Sequence, residues 1–465
     1  MDRADFPKLP FSGINSFAHL KPVKCLIEPD ERYDIAIIGA PFDTAVSYRT
    51  GTKESGALYC EKGRVDLYYL GARFGPRAIR AASARQMPGS SYNVRANINP
   101  YMSWATLKDC GDIPITPVDN GIAERQMYEA LLELGQRPAV TPASSKYGTK
   151  GISAGKSKLL MLGGDHSIAL PALRALYQIY KKPITVLHFD AHMDTWNPGR
   201  YSSYWQSYQS RFTHGTFFNI ASREGLISNT TSAHAGLRAR LSGVNDSDYS
   251  NPGPEQGFYR IHADDIDDLK PAGVVETIIE RTGLDPEQPV YLSVDIDVLD
   301  PCTAPGTGTP EPGGWTTREL IRILRGLEKL NIVGADIVEV SPSYDNKGET
   351  TALAAAQVGF EIITSMVKAG AAKDLGGWFG EKEVVGTQSA PEEVSAPERT
   401  ELPDSPPEEV PVGEKKEPTD LPVEEVPAQE KESTDLPTEE VSATATEEVT
   451  KEETEKPVSM KNDEL

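Results

Sequence analysis

The chain has 465 residues, long enough for one large domain or two to three smaller ones. Its formal charge of -22 is concentrated at one end: from Glu381 onward there are 26 acidic and 8 basic residues, a net of -18, which leaves -4 for residues 1–380. The body therefore reads as a mildly acidic globular chain, which excludes a basic nucleic-acid footprint, and no apolar run is expected to approach the roughly 18 residues that span a bilayer.

The N-terminus, MDRADFPKLPFSG, lacks the basic-then-apolar pattern of a signal peptide, so the chain as it stands is expected in the cytoplasm. Residues 1–33 form an N-terminal extension. From 34 to 375 the sequence alternates strand and helix patterns. YDIAIIGAP, KLLMLGGDHS, ITVLHFDAH, PVYLSVDID and NIVGADIVEVSP read as buried strands running into Gly, Pro or polar loops. ALPALRALYQIY and TTRELIRILRGLEKL carry apolar residues at helical spacing. Strands alternating with helices predict an α/β fold, a mostly parallel β-sheet flanked by helices, with its ligand site at the carboxyl ends of the strands. Residues 376–465 are different material. EEV recurs at Glu392, Glu408, Glu424, Glu439 and Glu447, TDLP at Thr419 and Thr434, and no aromatic residue follows Phe379. Such a segment buries too little apolar surface to offset its ordering entropy and is read as a disordered, solvated acidic tail. Four cysteines, Cys25, Cys60, Cys110 and Cys302, show no CxxC spacing, which predicts neither a zinc knuckle nor a disulfide framework.

Three segments carry chemistry together. GGDHS places His166 after a strand. DAHMD supplies Asp190, His192 and Asp194, and SVDIDVLDP supplies Asp295 and Asp297. On a strand, residues at i, i+2 and i+4 share a face, so each motif is expected to present its ionisable groups on one side. Carboxylates crowded that way repel unless a cation lies between them. Two imidazoles and four carboxylates are too many for one tetrahedral zinc. They fit two divalent ions sharing bridging carboxylates, in an oxygen-rich shell suited to manganese.

As a set, these motifs resemble the metal signatures of the ureohydrolase family, which includes arginases and agmatinases, and the resemblance covers nearly all of residues 30–370. It implies an arginase-like α/β domain assembled as a homo-oligomer, a trimer or a hexamer, with two Mn2+ ions per subunit. One ion would be held by His166, Asp190, Asp194 and Asp295, the other by His192, Asp190, Asp295 and Asp297. It further implies that a hydroxide made by the metal pair attacks the guanidinium carbon of a small-molecule guanidine. Asp194 then carries a proton to the departing amine. Glu339, in GADIVEVSPSYD, matches the family glutamate that pairs with the substrate guanidinium, and His214, in RFTHGTFF, matches a histidine suited to proton shuttling at the pocket mouth. The loop NPGRYSSYWQSYQSRFTHGTFF is longer and more aromatic than an arginase loop and lacks its SGN. With DCGDIPI, HAGLR and APGTGTPEPGGWTTREL, it resembles the agmatinase branch. The activity implied is hydrolysis of agmatine to putrescine and urea. A guanidinobutyrase or another ureohydrolase with the same metal centre is the alternative, as is a non-catalytic member disabled by its insert.

That insert is the departure from the family pattern. SYRTG (Ser47–Gly51) and ARFGPRAIR (Ala72–Arg80), continuous in agmatinase-like proteins, are separated by the 20 residues Thr52–Gly71. A retained intron is the favoured reading and a functional lid the other. The ending Asn462-Asp463-Glu464-Leu465 resembles an endoplasmic-reticulum retrieval signal, which would act only if an N-terminal signal peptide is missing from the chain.

Overall fold

A computed structural model describes residues 14–46, 71–198, 211–241, 243 and 257–371; most of the insert and the acidic tail lie outside the described residues. Eight strands form one sheet: β1 (Ile35–Ala40), β2 (Leu107–Asp112), β3 (Lys158–Gly163), β4 (Thr185–Phe189), β5 (Ala233–Leu237), β6 (Tyr259–His262), β7 (Val290–Asp295) and β8 (Ile332–Val338). Their order is β2-β1-β3-β8-β7-β4-β5-β6, and every pairing is parallel. The five apolar runs supply β1, β3, β4, β7 and β8, which occupy five consecutive places in the sheet and are buried throughout. Burial on both faces is why these strands read as continuous apolar runs rather than alternating ones. Successive residues serve opposite cores: Ile35 and Ile37 join one cluster, Ala36 and Ile38 the other.

Among the described residues, seven helices cover the two faces: α1 (Gly75–Ala82), α2 (Asn120–Gln136), α3 (Ala169–Tyr180), α4 (Phe217–Arg223), α5 (Asp265–Thr282), α6 (Thr317–Gly326) and α7 (Thr350–Ala369). Buried residues of α2, α3 and α4 belong to one core, and those of α1, α5, α6 and α7 to the other. Helix α6 starts on a capping box in which the Thr316 hydroxyl and the Glu319 carboxylate each take the other residue's backbone N–H.

Two expectations are corrected. Helix α7 is long and apolar enough to cross a membrane by length and composition, contrary to the expectation that no run approaches that length. It is a core helix: 83% of its most apolar window is buried inside the protein. The absence of a disulfide framework fails as well, because Cys25 and Cys110 are joined across 85 residues of sequence. The cause is packing that no local spacing reveals. The N-terminal segment lies alongside edge strand β2, with Pro22 bridged to Asp109 and the Val23 N–H donating to the Asp109 carbonyl at 2.8 Å. Cys25 is thereby carried to Cys110.

Candidate metal centre

The four strands at the middle of the sheet, β3-β8-β7-β4, each run into one of the segments singled out above: His166 follows β3, Glu339 follows β8, Asp295 ends β7 and Asp190 follows β4. Backbone constraints aim them. Beside His166, Gly164 packs so tightly that a Cβ there would lie 1.8 Å from the Phe42 carbonyl oxygen. The motif residues do not alternate along a strand as expected. β4 stops at Phe189, and Asp190 Oδ1 accepts the His192 N–H at 2.5 Å; β7 stops at Asp295, whose Oδ1 accepts the Asp297 N–H at 2.8 Å. In each motif an aspartate bonding two residues ahead competes with the ladder and turns the chain.

The side chains converge as two groups. His166 is fully buried, and its Nδ1 lies 3.0 Å from Asp194 Oδ2, 3.1 Å from Asp190 Oδ2 and 3.2 Å from Asp295 Oδ2. His192 Nδ1 lies 3.2 Å from Asp190 Oδ1 and 3.1 Å from Asp297 Oδ2. Asp190 thus turns one oxygen toward each group. Asp297 is held by the Ala191 N–H and the Thr309 hydroxyl at 3.1 and 3.2 Å.

A hydrogen-bond chain behind the site orients His166. Tyr291 OH and Ser293 Oγ donate to the two oxygens of Asp336, at 2.5 and 2.7 Å, and Ser293 Oγ lies 2.8 Å from His166 Nε2. With its own proton committed to Asp336, Ser293 accepts from Nε2–H, so Nδ1 is the nitrogen turned to the carboxylates and, in the neutral ring, the one that carries the lone pair. Both Nδ1 and Asp190 Oδ2 are buried without a hydrogen-bond partner. One nitrogen and three carboxylate oxygens then face a common point; without metal, burial would lower the His166 pKa, but the carboxylates of Asp190, Asp194 and Asp295 hold it well above 6.5. A divalent cation satisfies all of them at once, and the nitrogen-and-oxygen donor set fits one.

Titration behaviour without metal reflects the same crowding. Burial raises Asp295 well above the ordinary carboxylate range, helped by the charges of Asp297 and Asp190. Asp297 is raised by burial and then by Asp190. Asp190 goes the other way: burial would raise it, but the His188 charge and the hydrogen bonds of His166, His188 and His192 hold it well below the usual value.

Beside these groups opens a cavity of about 530 Å³ whose walls include His192, Asp194, Trp196, His214 and Arg240. His214 Nδ1 is 3.9 Å from Glu339 Oε1, which also accepts the His166 N–H at 2.9 Å. Burial lowers the His214 pKa, so the ring is neutral near pH 7. Burial, and then the Asp165 charge, hold Glu339 well above the ordinary range. Asp194 and Glu339 both sit in the left-handed region, at φ 55° and 59°. A side chain there costs of order 1–2 kcal/mol, a strain that gathers where function fixes the geometry.

All eight residues singled out from the sequence are therefore gathered in one place. Residues behind them were missed, namely Ser293, Asp336, His188 and His234. Ser293 and His188 each stand two positions before a site aspartate on the same strand face, a period-two signal open to reading. His234 was not legible, since its place depends on which strand lies beside β4. Fully buried His234 is held well below its usual value of 6.5, first by desolvation and then by the His188 charge. A histidine neutral in the fold but protonated when unfolded costs stability as pH falls. Unfolding free energy is thus expected to fall as pH drops below about 6.5, by at most about 1.4 kcal/mol per pH unit for this group, and chemical denaturation of His234→Phe should show a correspondingly shallower decline.

A parallel sheet whose central strands bring histidines and carboxylates together beside one cavity defines, with the chain's similarities, a hydrolase of carbon–nitrogen bonds in amidines. The Arginase family matches residues 64–364. "Putative agmatinase 1" of Schizosaccharomyces pombe is 44% identical over 358 residues, covering 77% of this chain and 83% of that one. An agmatinase of Chromobacterium violaceum is 36% identical over 356 residues, covering 77% and 89%. Among solved structures, proclavaminate amidinohydrolase from Streptomyces clavuligerus superposes with a TM-score of 0.60 at 32% identity, covering 78% of this chain and 99% of that one. The chain belongs to the arginase family, in its agmatinase branch.

Proposed function

We propose that the protein is a manganese-dependent agmatinase, hydrolysing agmatine to putrescine and urea. The observation that carries this reading is Asp190 turning Oδ2 to the buried His166 group and Oδ1 to the His192 group. His166, Asp190, Asp194 and Asp295 would hold one Mn2+, and His192, Asp190 and Asp297 the other, with Asp295 shared by family resemblance. When bound, such a pair supplies hydroxide at neutral pH by lowering the pKa of water from about 16 toward 7. The rest falls to this chain's side chains. Glu339, whose contacts with basic side chains among the described residues are limited to His214 at 3.9 Å, gains a counter-charge when a guanidinium enters. Asp194, on the cavity wall and next to His166, is placed to hand a proton to the departing amine. His214, neutral on the same wall, can exchange that proton with solvent. The homo-oligomer expected of the family belongs to the same proposal.

One observation favours a second substrate. Arg240 lines the cavity with 86% of its side chain exposed, paired to Glu311 at 3.5 Å, and a guanidinium there suits a carboxylate tail. Urea release by the manganese-loaded full chain, offered agmatine, arginine and 4-guanidinobutyrate in parallel, tests both readings. Preference for agmatine supports the first and preference for 4-guanidinobutyrate the second. Silence with every guanidine sinks both.

A further inference from the structure

Strands β5, β4, β7 and β8 are neighbours, and one row of their register reads His234, His188, Ser293, Asp336. All four are buried. Polar side chains crossing an apolar sheet cost free energy unless they are hydrogen-bonded, so the row needs a reason. Its Ser293–Asp336 half orients His166, as described above. The other half has no role in the centre so far. His188 stands two residues before Asp190, and its Nε2 lies 2.8 Å from Asp190 Oδ2. Its Nδ1 is 2.7 Å from His234 Nδ1. The His234 ring stacks on Phe258 with centroids 3.9 Å apart at 14°, and Phe218 packs edge-on to His188.

We infer that His188 and His234 are a positioning pair for Asp190: His188 presents an N–H to the rear of the carboxylate, and His234 holds His188 in the form that does so. Two ring nitrogens 2.7 Å apart share a single proton. If it sits on His234, a neutral His188 carries its own proton on Nε2, toward Asp190. If it sits on His188, a neutral ring would turn a bare Nε2 lone pair onto the carboxylate at 2.8 Å, which is repulsive, and only a charged His188 avoids this. Every arrangement without facing lone pairs keeps Nε2–H on Asp190. The contact is close without the alignment of a finished hydrogen bond, and neither atom has another hydrogen-bond partner. A small rotation of the carboxylate completes it. His188 is not a ligand in this scheme. His188 does lie within 4.8 Å of the ligand atoms of His166, Asp190 and Asp194, but among the described residues its one carboxylate contact within 4.0 Å is Asp190, whereas His166 Nδ1 reaches three.

The inference rests on the metal centre proposed above, and the experiment separates the two. Mn2+ is titrated calorimetrically into the chelator-stripped full chain as wild type, His188→Phe, His188→Gln and His234→Phe. Outer hydrogen bonds to metal ligands are commonly worth 10–100-fold in affinity, so His188→Phe should bind about that much more weakly, with unchanged stoichiometry. His188→Gln places an amide N–H near the lost Nε2 and should recover most of the affinity. His234→Phe keeps the stack on Phe258 but releases the tautomer, and should fall between the two. Affinity in His188→Phe equal to wild type overturns the inference. So does loss of one ion per chain with the remainder bound normally, which would make His188 a ligand. Should His188→Phe fail to fold by circular dichroism, His234→Phe decides: weaker binding supports the pair and wild-type binding overturns it. Failure of the wild type to bind Mn2+ removes the centre itself, a different failure.

Discussion

Asp190→Asn is expected to lower urea release at least about a thousandfold, a barrier increase of about 4 kcal/mol. Asp190 Oδ2 faces the His166 group and Oδ1 the His192 group. An asparagine has one oxygen, so whichever way the amide turns, one group receives an NH2 where it had an acceptor. That group also loses a negative charge from the carboxylate set that would attract the cation, in a site where burial and mutual repulsion already raise Asp295 and Asp297. Metal analysis of the purified variant should show reduced manganese with the fold intact by circular dichroism. Undiminished turnover would mean that the centre does not depend on a shared carboxylate.

Glu339→Gln should behave differently: metal content stays at the wild-type level while kcat/KM for the guanidine falls by roughly a hundredfold, about 3 kcal/mol, the scale for removing one partner of a buried charge pair. The glutamine keeps the shape, and its amide oxygen can still accept the His166 N–H that Glu339 takes at 2.9 Å, so the loop after β3 holds its place. What disappears is the negative charge that meets the guanidinium. Steady-state kinetics with metal analysis separate this outcome from general damage, because a collapsed site would lose manganese too. Catalysis close to wild type would reassign Glu339 to holding the His166 loop.

Much of this fold was legible because its central strands are buried on both faces and read as unbroken apolar runs. β2, β5 and β6 were not singled out as strands. β2 contains Lys108 and Asp109, β5 is only AHAGL, and β6, at the sheet edge, is YRIH with an exposed Tyr259. The grouping of the site residues was foreseen for a reason that was partly wrong. Strand alternation does not bring Asp190, His192 and Asp194 together; a turn closed by the Asp190 carboxylate and a left-handed Asp194 do. The Cys25–Cys110 bond and the His188–His234 contact share one cause of concealment, since each joins residues on separate segments whose adjacency is set by sheet order.

The central claim is that this chain builds a site for two metal ions around Asp190. Anomalous diffraction at the manganese edge from crystals grown with Mn2+ tests it most directly. The account predicts two peaks flanking the Asp190 carboxylate, one at His166 Nδ1 and the other at His192 Nδ1. A single peak, or density away from both imidazoles, would contradict it.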